Sequence, residues 1–187
     1  MLSDIKTALV IAPHPDDAEL CAGGTIIRML EAGISVHLAT VCSANVSAPT
    51  AKMKRDRRAE AVKAAAALGI LDESRLIFLG FENGHLASDR NARRVHERLI
   101  DLRDLIRPDL VIIPSSTDSH QDHEVIHKAG FRVFKSARFL LGFENPINSE
   151  KGLAASLFVS LTHTQVMAKI HAARRHLSEK DRKHYFH

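Results

Sequence analysis

Aromatic residues make up only 5% of the 187-residue sequence, and tryptophan is absent. A surface of stacking rings for nucleic acid bases is therefore not expected, although the net charge of +4 suits an anionic small molecule. Two cysteines, Cys21 and Cys42, are too few for a disulfide framework, so we expect two reduced thiols in or near the core. No apolar run reaches the roughly 18 residues that a membrane-spanning helix needs. The short apolar stretch in MLSDIKTALVIAP lacks a basic leader, which favours a first strand over a signal peptide and predicts a cytoplasmic protein.

Three common active-site motifs are also missing from the sequence. There is no G-x-G-x-x-G fingerprint, no P-loop and no G-x-S-x-G elbow. Their absence disfavours a dinucleotide-dependent redox enzyme, a P-loop enzyme and a serine hydrolase. The one glycine pair, Gly23-Gly24, falls inside a predicted helix, where we interpret it as close packing of that helix on the sheet or on a substrate loop.

Apolar runs alternate with helical patterns along the whole chain. Strands are predicted at Thr7–Ala12, Ser35–Val41, Arg75–Leu79, Asp109–Pro114, Ala137–Phe143 and Leu157–Leu161. Helices are predicted at Leu20–Ala32, Asp56–Leu68, Asn91–Ile106, Asp122–Ser136 and Thr162–His176. This alternation indicates right-handed βαβ units and a mostly parallel sheet with helices on both faces, a three-layer αβα, Rossmann-like α/β fold. In such open sheets ligands bind beyond the carboxyl ends of the strands.

The turn after the first predicted strand concentrates side chains that bind metals. His14, Asp16, Asp17 and Glu19 fall within six positions. Carboxylates this close repel one another unless a cation lies among them. An imidazole with carboxylates is a suitable ligand set for zinc or ferrous iron. An acidic helix start would explain Asp17 or Glu19 through the helix dipole, but not His14 beside Asp16.

A second cluster, SHQDH, follows the fourth predicted strand. It contains His120, Asp122 and His123. The first and fourth strands can be neighbours where the strand order of a parallel sheet reverses, so the two clusters could face each other. Together they supply three protein ligands and leave an open coordination position, which is typical of a catalytic rather than a structural metal site.

The two motifs resemble those of the PIG-L/LmbE-like N-acetylglucosaminyl de-N-acetylase family. HPDDAEL follows an apolar strand, and SHQDH follows a later one. The resemblance covers most of the chain and includes Arg57-Arg58-Ala59-Glu60 and the segment Gly80–Leu86 (GFENGHL). It implies an LmbE-like version of the predicted fold and a metal-dependent hydrolase. The implied reaction removes an N-acetyl group from an N-acetylglucosamine-type conjugate and releases acetate and a free amine.

The resemblance also implies the metal site and the general base. His14, Asp17 and His123 would bind Zn²⁺, and Fe²⁺ is compatible with the same ligands. Asp16 would be the general base that activates the attacking water.

Three further residues receive roles from the resemblance. His120 would protonate the amine leaving group or stabilise the oxyanion. Asp122 would orient His120, and we expect its charge to raise the pKa of that ring. Arg57 would contact a substrate hydroxyl or anionic group, although an ordinary helix-surface pairing with Glu60 explains it equally well.

The chain departs from the family pattern at a few points. Ala18 separates the acidic pair from Glu19, and Gln121 replaces a usual proline, which we expect to loosen the loop that holds His123. The predicted single domain, residues 1–187, ends earlier than the family leads us to expect. The chain is therefore either a short member or one that lacks a C-terminal segment.

Alternative functions remain open on the sequence alone. A thiol-conjugate amidase or another amide hydrolase of the same superfamily would keep the metal ligands and differ in the pocket. A non-catalytic metal- or sugar-binding domain would not need Asp16 and His120. The basic cluster Lys52–Arg58 fits a solvated helix start as well as an anion-binding loop. We expect most of the other histidines to face solvent, and we expect a homo-oligomer by analogy with the family.

Overall fold

The apolar segment TALVIA forms the central strand, β1 (Thr7–Ala12), of the computed structural model, which describes residues 4–44, 51–149 and 155–179. Four further strands are β2 (Ser35–Ala44), β3 (Leu76–Glu82), β4 (Leu110–Pro114) and β5 (Phe139–Phe143). They form one sheet in the order β3-β2-β1-β4-β5, and every neighbouring pair is parallel. The predicted parallel sheet is therefore confirmed.

Five α-helices connect and cover the strands. They are α1 (Gly23–Glu31), α2 (Ala51–Leu68), α3 (Asp89–Ile106), α4 (Gln121–Phe134) and α5 (His163–Ala173). A π-helical turn at Ala18–Ala22 precedes α1, and single 3₁₀ turns lie at Glu73–Arg75 and Leu177–Glu179. Gly69 follows α2 with φ 107, which supports the predicted glycine stop because other residues adopt this region at a cost. Within the described residues, none of these helices is long and apolar enough to cross a membrane.

Side chains of β1 alternate between two separate cores. Ala8 and Val10 contribute to the core that contains Ile26 of α1. Leu9 and Ile11 contribute to the other core, under α3 and α4. This period-two alternation is what a strand buried on both faces requires. It confirms the three-layer αβα architecture.

Two predicted elements differ from the structure in type, and several others differ only in their bounds. The sixth strand predicted at Leu157–Leu161 is wrong, because this segment has neither helix nor strand and follows the helical layer instead of the sheet edge. Its last residue, Leu161, packs against Gly24 of α1 so closely that a Cβ there would collide with the leucine side chain. Close packing is thus present at Gly24, but its partner is Leu161 and not the predicted sheet. The helix predicted from Leu20 begins instead as the π-helical turn at Ala18–Ala22, a geometry that sequence periodicity does not reveal.

The sheet order brings the two ligand-rich loops together. β1 pairs with β2 on one side and β4 on the other, with Ala8 opposite Leu110 and Val10 opposite Ile112. The strand order therefore reverses at β1, and the loops after β1 and β4 leave the same edge of the sheet.

Candidate active site

Three side-chain atoms form a nearly equilateral triangle at this edge. His14 Nδ1 lies 3.1 Å from Asp17 Oδ2, Asp17 Oδ2 lies 3.1 Å from His123 Nε2, and the two ring nitrogens are 3.2 Å apart. Tetrahedral zinc with bonds of about 2.0–2.1 Å separates its ligand atoms by about 3.3 Å. The three donors thus fit one face of a tetrahedron, and a fourth position is left open. All three side chains are buried.

The turn after β1 places His14 and Asp17 on the same side. The Asp17 carboxylate accepts a hydrogen bond of 2.8 Å from the backbone N–H of His14, and the Asp17 backbone N–H donates to the His14 carbonyl at 3.3 Å. These reciprocal bonds close the turn locally. The backbone of this turn therefore helps to bring the two predicted ligands of the first motif to one point.

The second ring nitrogen of His14 is held by two oxygen atoms. His14 Nε2 lies 3.0 Å from Asn83 Oδ1 and 3.2 Å from Asp122 Oδ2. Both are acceptors, so Nε2 carries a proton. Nδ1 faces the triangle and would present a lone pair there once a metal had displaced its own proton. The Asp122 carboxylate is fixed in turn by the backbone N–H groups of Gly84 at 2.6 Å and Leu86 at 3.4 Å. The loop after β3 therefore supports a candidate ligand that comes from the loop after β1.

His123 has a corresponding support that the sequence analysis missed. Its Nδ1 lies 2.6 Å from Asp118 Oδ2, and the Asp118 side chain is fully buried. Asp118 Oδ1 also accepts from the backbone N–H of His120 at 3.0 Å. The sequence did contain a signal for this contact, because an acidic residue directly precedes the SHQDH motif. A ligating histidine usually donates its other N–H to a carboxylate, so this acidic residue was a candidate partner.

His120 stands beside the triangle without belonging to it. Its ring centroid lies 4.8 Å from that of His14 and 4.9 Å from that of His123. His120 is the N-cap of α4, and its Nδ1 accepts a hydrogen bond of 3.2 Å from the backbone N–H of Asp122. An accepting Nδ1 carries no proton, so the neutral ring bears its proton on Nε2.

The Asp122 charge raises the pKa of His120, as expected, but the net shift of that pKa is downward. Burial and the positive charges of His14 and His123 lower the pKa of His120, and the opposing effect of Asp122 is smaller. The contacts of the Asp122 carboxylate are with His14 and the loop after β3, whereas the His120 ring meets the backbone of Asp122. Asp122 therefore positions the candidate ligand His14, and its negative charge interacts with the His14 ring.

The triangle attracts positive charge. Burial alone would lower the pKa of His14, but the Asp17 charge and the hydrogen bond to Asp122 raise it to about 10. Burial is likewise outweighed at His123, where Asp118 and Asp17 raise the pKa to about 9. The same two rings hold the pKa of Asp17 well below its usual range despite burial. A divalent cation at this point would replace protons and keep the carboxylates compensated.

Asp16 and Glu19 lie on the buried side of the same turn. Asp16 is 2% exposed, and its charge acts on the rings of His14 and His176. Glu19 is completely buried, and its Oε2 lies 3.3 Å from His176 Nε2. This contact is an ion pair without aligned hydrogen-bond geometry. The expectation that His176 would face solvent with most other histidines is wrong, because the chain after α5 turns inward and pairs with the π-helical turn.

Arg57 and Gln121 complete the predicted residues. Arg57 is buried on α2, which packs against the π-helical turn, and its role toward a substrate stays a prediction. Most side chains of the basic cluster Lys52–Arg58 fall outside the described part of the chain. Gln121 Nε2 donates to the carbonyl of Gly84 at 3.3 Å. This bond joins the loops after β3 and β4, which opposes the loosening expected from the loss of a proline.

Two other groups of donors approach the same point. The ring nitrogens of His14, His120 and His123 lie within 4.8 Å of one another, as do donor atoms of His14, Cys42 and Asp122. We favour the triangle with Asp17 because its sides of 3.1–3.2 Å match metal coordination more closely. Burial also raises the pKa of the Cys42 thiol, so the sulfur stays protonated. Cys21 and Cys42 are both free thiols, as predicted.

The chain belongs to the PIG-L family: residues 9–134 match the family model described as GlcNAc-PI de-N-acetylase. It is 25% identical over 181 residues to the uncharacterized deacetylase YaiS of Escherichia coli K12, covering 92% of this chain and 91% of that protein. It is 26% identical over 141 residues to the diacetylchitobiose deacetylase of Thermococcus kodakarensis, covering 73% of this chain. The match spans 51%, about half, of the archaeal enzyme.

Solved structures share the fold. The conserved protein TT1542 from Thermus thermophilus superposes with a TM-score of 0.77 at 23% identity, over 94% of this chain and 80% of that one. The 4-carboxy-2-hydroxymuconate hydratase GalB from Pseudomonas putida KT2440 superposes with a TM-score of 0.68 at 21% identity, over 93% and 84%. At this identity the likeness establishes the architecture alone, and the reaction must be argued from the site.

Proposed function

We propose that this protein is a metal-dependent hydrolase that removes the N-acetyl group from an N-acetylglucosamine-type conjugate. The observation that carries the proposal is the triangle of His14 Nδ1, Asp17 Oδ2 and His123 Nε2, with sides of 3.1–3.2 Å, in a member of a deacetylase family. Two nitrogens and one carboxylate oxygen suit Zn²⁺, and Fe²⁺ is compatible. Hydrogen bonds that the two rings donate to Asp118 and Asp122 provide the support that such ligands require.

A divalent ion held by these three residues would supply Lewis-acid activation of a water molecule and of the amide carbonyl. Asp16 is placed beside the ligands on the same turn, and it would accept the proton of the attacking water. The neighbouring Asp17 faces the triangle instead. The orientation of Asp17 toward the two histidines supports the assignment of Asp17 as a ligand and of Asp16 as the base.

His120 would stabilise the oxyanion that develops as the amide carbonyl is attacked. Its Nδ1 accepts from the backbone of α4, so the ring presents an Nε2–H donor and cannot easily carry a second proton. A neutral histidine at a helix N-terminus is suited to donate a hydrogen bond to a developing negative charge. Of the two roles left open by the sequence, this hydrogen bond favours oxyanion stabilisation over protonation of the leaving amine. The proton that Asp16 takes from the attacking water would then pass to the amine nitrogen as the C–N bond breaks.

The sugar conjugate and the function of Arg57 belong to the same proposal. An N-acetylglucosamine-type substrate is supported by the family description and by the diacetylchitobiose deacetylase relative. Arg57 would bind a substrate hydroxyl or anionic group. A cytoplasmic location is likewise part of the proposal.

The test is acetate release from a panel of N-acetylglucosamine conjugates by the zinc-loaded, chelator-stripped and Asp16→Asn proteins. We expect release only with metal, and a loss of at least about 100-fold in kcat for Asp16→Asn with unchanged metal content, because a general base contributes about that much. Asp101→Asn is the matched control, since Asp101 lies on α3 with its side chain 63% exposed. It should behave as the wild type.

Three other outcomes would contradict parts of this proposal. Loss of metal from Asp16→Asn would show that Asp16 is a ligand. Bound metal with no release from any conjugate would leave the metal site but reject this substrate class in favour of another amide, a thiol conjugate, or hydration of an unsaturated acid. Absence of bound metal from the purified and zinc-treated protein would reject the central claim.

A further inference from the structure

A buried ion pair near the candidate active site has no part in the proposed mechanism. Glu19 is completely buried, His176 is 2% exposed, and Glu19 Oε2 lies 3.3 Å from His176 Nε2. Burial lowers the pKa of His176, but the Glu19 carboxylate outweighs this effect and raises it, which favours the charged ring. A buried ion pair typically adds little stability over apolar side chains of similar volume. Stability alone therefore does not explain why these two groups are buried together.

Glu19 lies on the π-helical turn that directly follows the candidate base. This turn, Ala18–Ala22, begins after Asp16 and Asp17, and the backbone N–H of Leu20 donates to the Asp16 carbonyl at 3.1 Å. π-helical turns are rare and are frequent at functional sites. The Glu19 side chain thus connects the backbone that carries Asp16 to the chain after α5.

The segment that carries His176 is fixed by contacts of its own. Ala172 packs into the core formed with α1 and α2, and the backbone N–H of His176 donates to the Ala173 carbonyl at 3.2 Å. Two positions later, the backbone N–H and the hydroxyl of Ser178 donate to the Glu60 carboxylate of α2, at 3.1 and 2.6 Å. His176 is therefore a fixed point against which the π-helical turn can be held.

The candidate base lies close enough to this pair to act on it. The negative charge of Asp16 contributes to the raised pKa of His176, although less than Glu19 does. Asp16 is itself only 2% exposed. The base and the ion pair therefore belong to one buried group, in which the His176 ring contributes positive charge.

We propose that Glu19 and His176 are positioning residues for the hydrolytic reaction, because their contact holds the π-helical turn and with it the orientation of Asp16. The inference rests on the proposed function, since it takes Asp16 as the general base. A displacement of about 1 Å in a reacting group can slow a reaction by about 100-fold, so the pair acts on kcat. The bonds that orient Asp17 come from His14, so the pair does not set the metal affinity.

The experiment compares the zinc-loaded wild type with Glu19→Leu, His176→Leu and the double variant, each as the full chain. Acetate release is measured with the panel conjugate on which the wild type is most active. Each single variant should lower kcat by about 10- to 100-fold and leave KM and the zinc dissociation constant near the wild-type values. The double variant should lose no more kcat than the worse single variant, because either change removes the same contact. It also leaves no unpaired buried charge, so it tests the inference even if a single variant does not fold.

Three controls separate positioning from stability. His176→Gln keeps an N–H donor near the position of Nε2 and should retain most of kcat. Leu99→Ala removes a completely buried side chain of α3 on the other face of the sheet, so it should lower stability and leave kcat unchanged. Ser178→Ala removes only the hydroxyl contact with Glu60 and should also keep kcat.

Hydrogen exchange of the Leu20 amide provides a readout that needs no substrate. Glu19→Leu and His176→Leu should speed this exchange by at least about 10-fold, because the amide is bonded within the turn that they loosen, whereas Ser178→Ala should not. A wild type inactive on every conjugate would reject the proposed function, and the exchange would still support the hold on the turn if it rises and overturn it if it does not. Unchanged kcat in folded His176→Leu, or an equal loss of kcat in Leu99→Ala, would also overturn the inference.

Discussion

Replacing Asp118 by asparagine tests whether the hydrogen bond behind His123 sets the metal affinity. Asp118 bonds two groups at once: its Oδ2 lies 2.6 Å from His123 Nδ1, and its Oδ1 accepts from the His120 backbone at 3.0 Å. Asparagine has one acceptor oxygen, so its amide group must face one of the two N–H donors. Loss of such a support typically weakens metal binding by about 10- to 100-fold, which corresponds to about 1.4–2.7 kcal/mol.

The assay is a competitive zinc titration against a chromogenic chelator at fixed pH. Asp118→Asn should shift the zinc dissociation constant into that range, with little change in the circular dichroism spectrum. Asp104→Asn is the control, because Asp104 lies on α3 with its side chain 63% exposed and pairs only with a neighbouring arginine in the contacts described. If Asp118→Asn binds zinc as tightly as the control, then either His123 is not a ligand or its orientation does not depend on Asp118.

Three more results are expected. Zinc binding near pH 7.5 should release about two protons, because the pKa of His14 is about 10 and that of His123 is about 9 without metal. The zinc affinity should therefore rise with pH. Calorimetry in buffers of different ionisation enthalpy measures the number of protons released, and a release of less than one proton would contradict the prediction. Gly84→Ala and Gly33→Ala should each cost about 1–2 kcal/mol of stability, because φ is 80 at Gly84 and 78 at Gly33. Only Gly84→Ala should also weaken zinc binding, because the Gly84 backbone N–H donates to Asp122. Equal zinc affinities of the two variants would show that this hydrogen bond does not matter. Burial lowers the pKa of His176, but the buried carboxylate of Glu19 outweighs this effect and raises it. The stability difference between wild type and His176→Gln should therefore be largest below about pH 6.5 and shrink as the pH rises through the raised pKa. Urea unfolding at several pH values measures this difference, and a flat or opposite trend would show that the pairing is unimportant.

The sequence predicted the loops that carry the site better than the contacts within it. Alternating apolar runs are local signals, so the order of strands and helices and the two ligand clusters could be read from short windows. The side chains that hold the His14 ring could not be predicted from short windows, because Asn83 and Asp122 lie 69 and 108 positions away in the sequence. Their approach depends on how the loop after β3 bends, and no periodic pattern describes that bend.

Errors in the prediction have a shared physical origin. Leu157–Leu161 has strand-like composition, but Leu161 finds its partner at Gly24 in the helical layer. His176 is polar and follows the end of a helix, yet its side chain is buried because it pairs with the buried Glu19. In both cases tertiary contacts outweighed local propensity, which is expected wherever a segment is short.

The pairing of β1 with β4 also has a consequence for biosynthesis. Ala8 and Leu110 are adjacent in the sheet but 102 positions apart in the chain. At a translation rate of roughly 5–20 residues per second, the first strand emerges from the ribosome at least about 5 seconds before its central neighbour exists. The HPDD turn is therefore synthesised well before its neighbouring loop. A nascent chain has only half of the candidate metal-binding cluster until the SHQDH segment has been made.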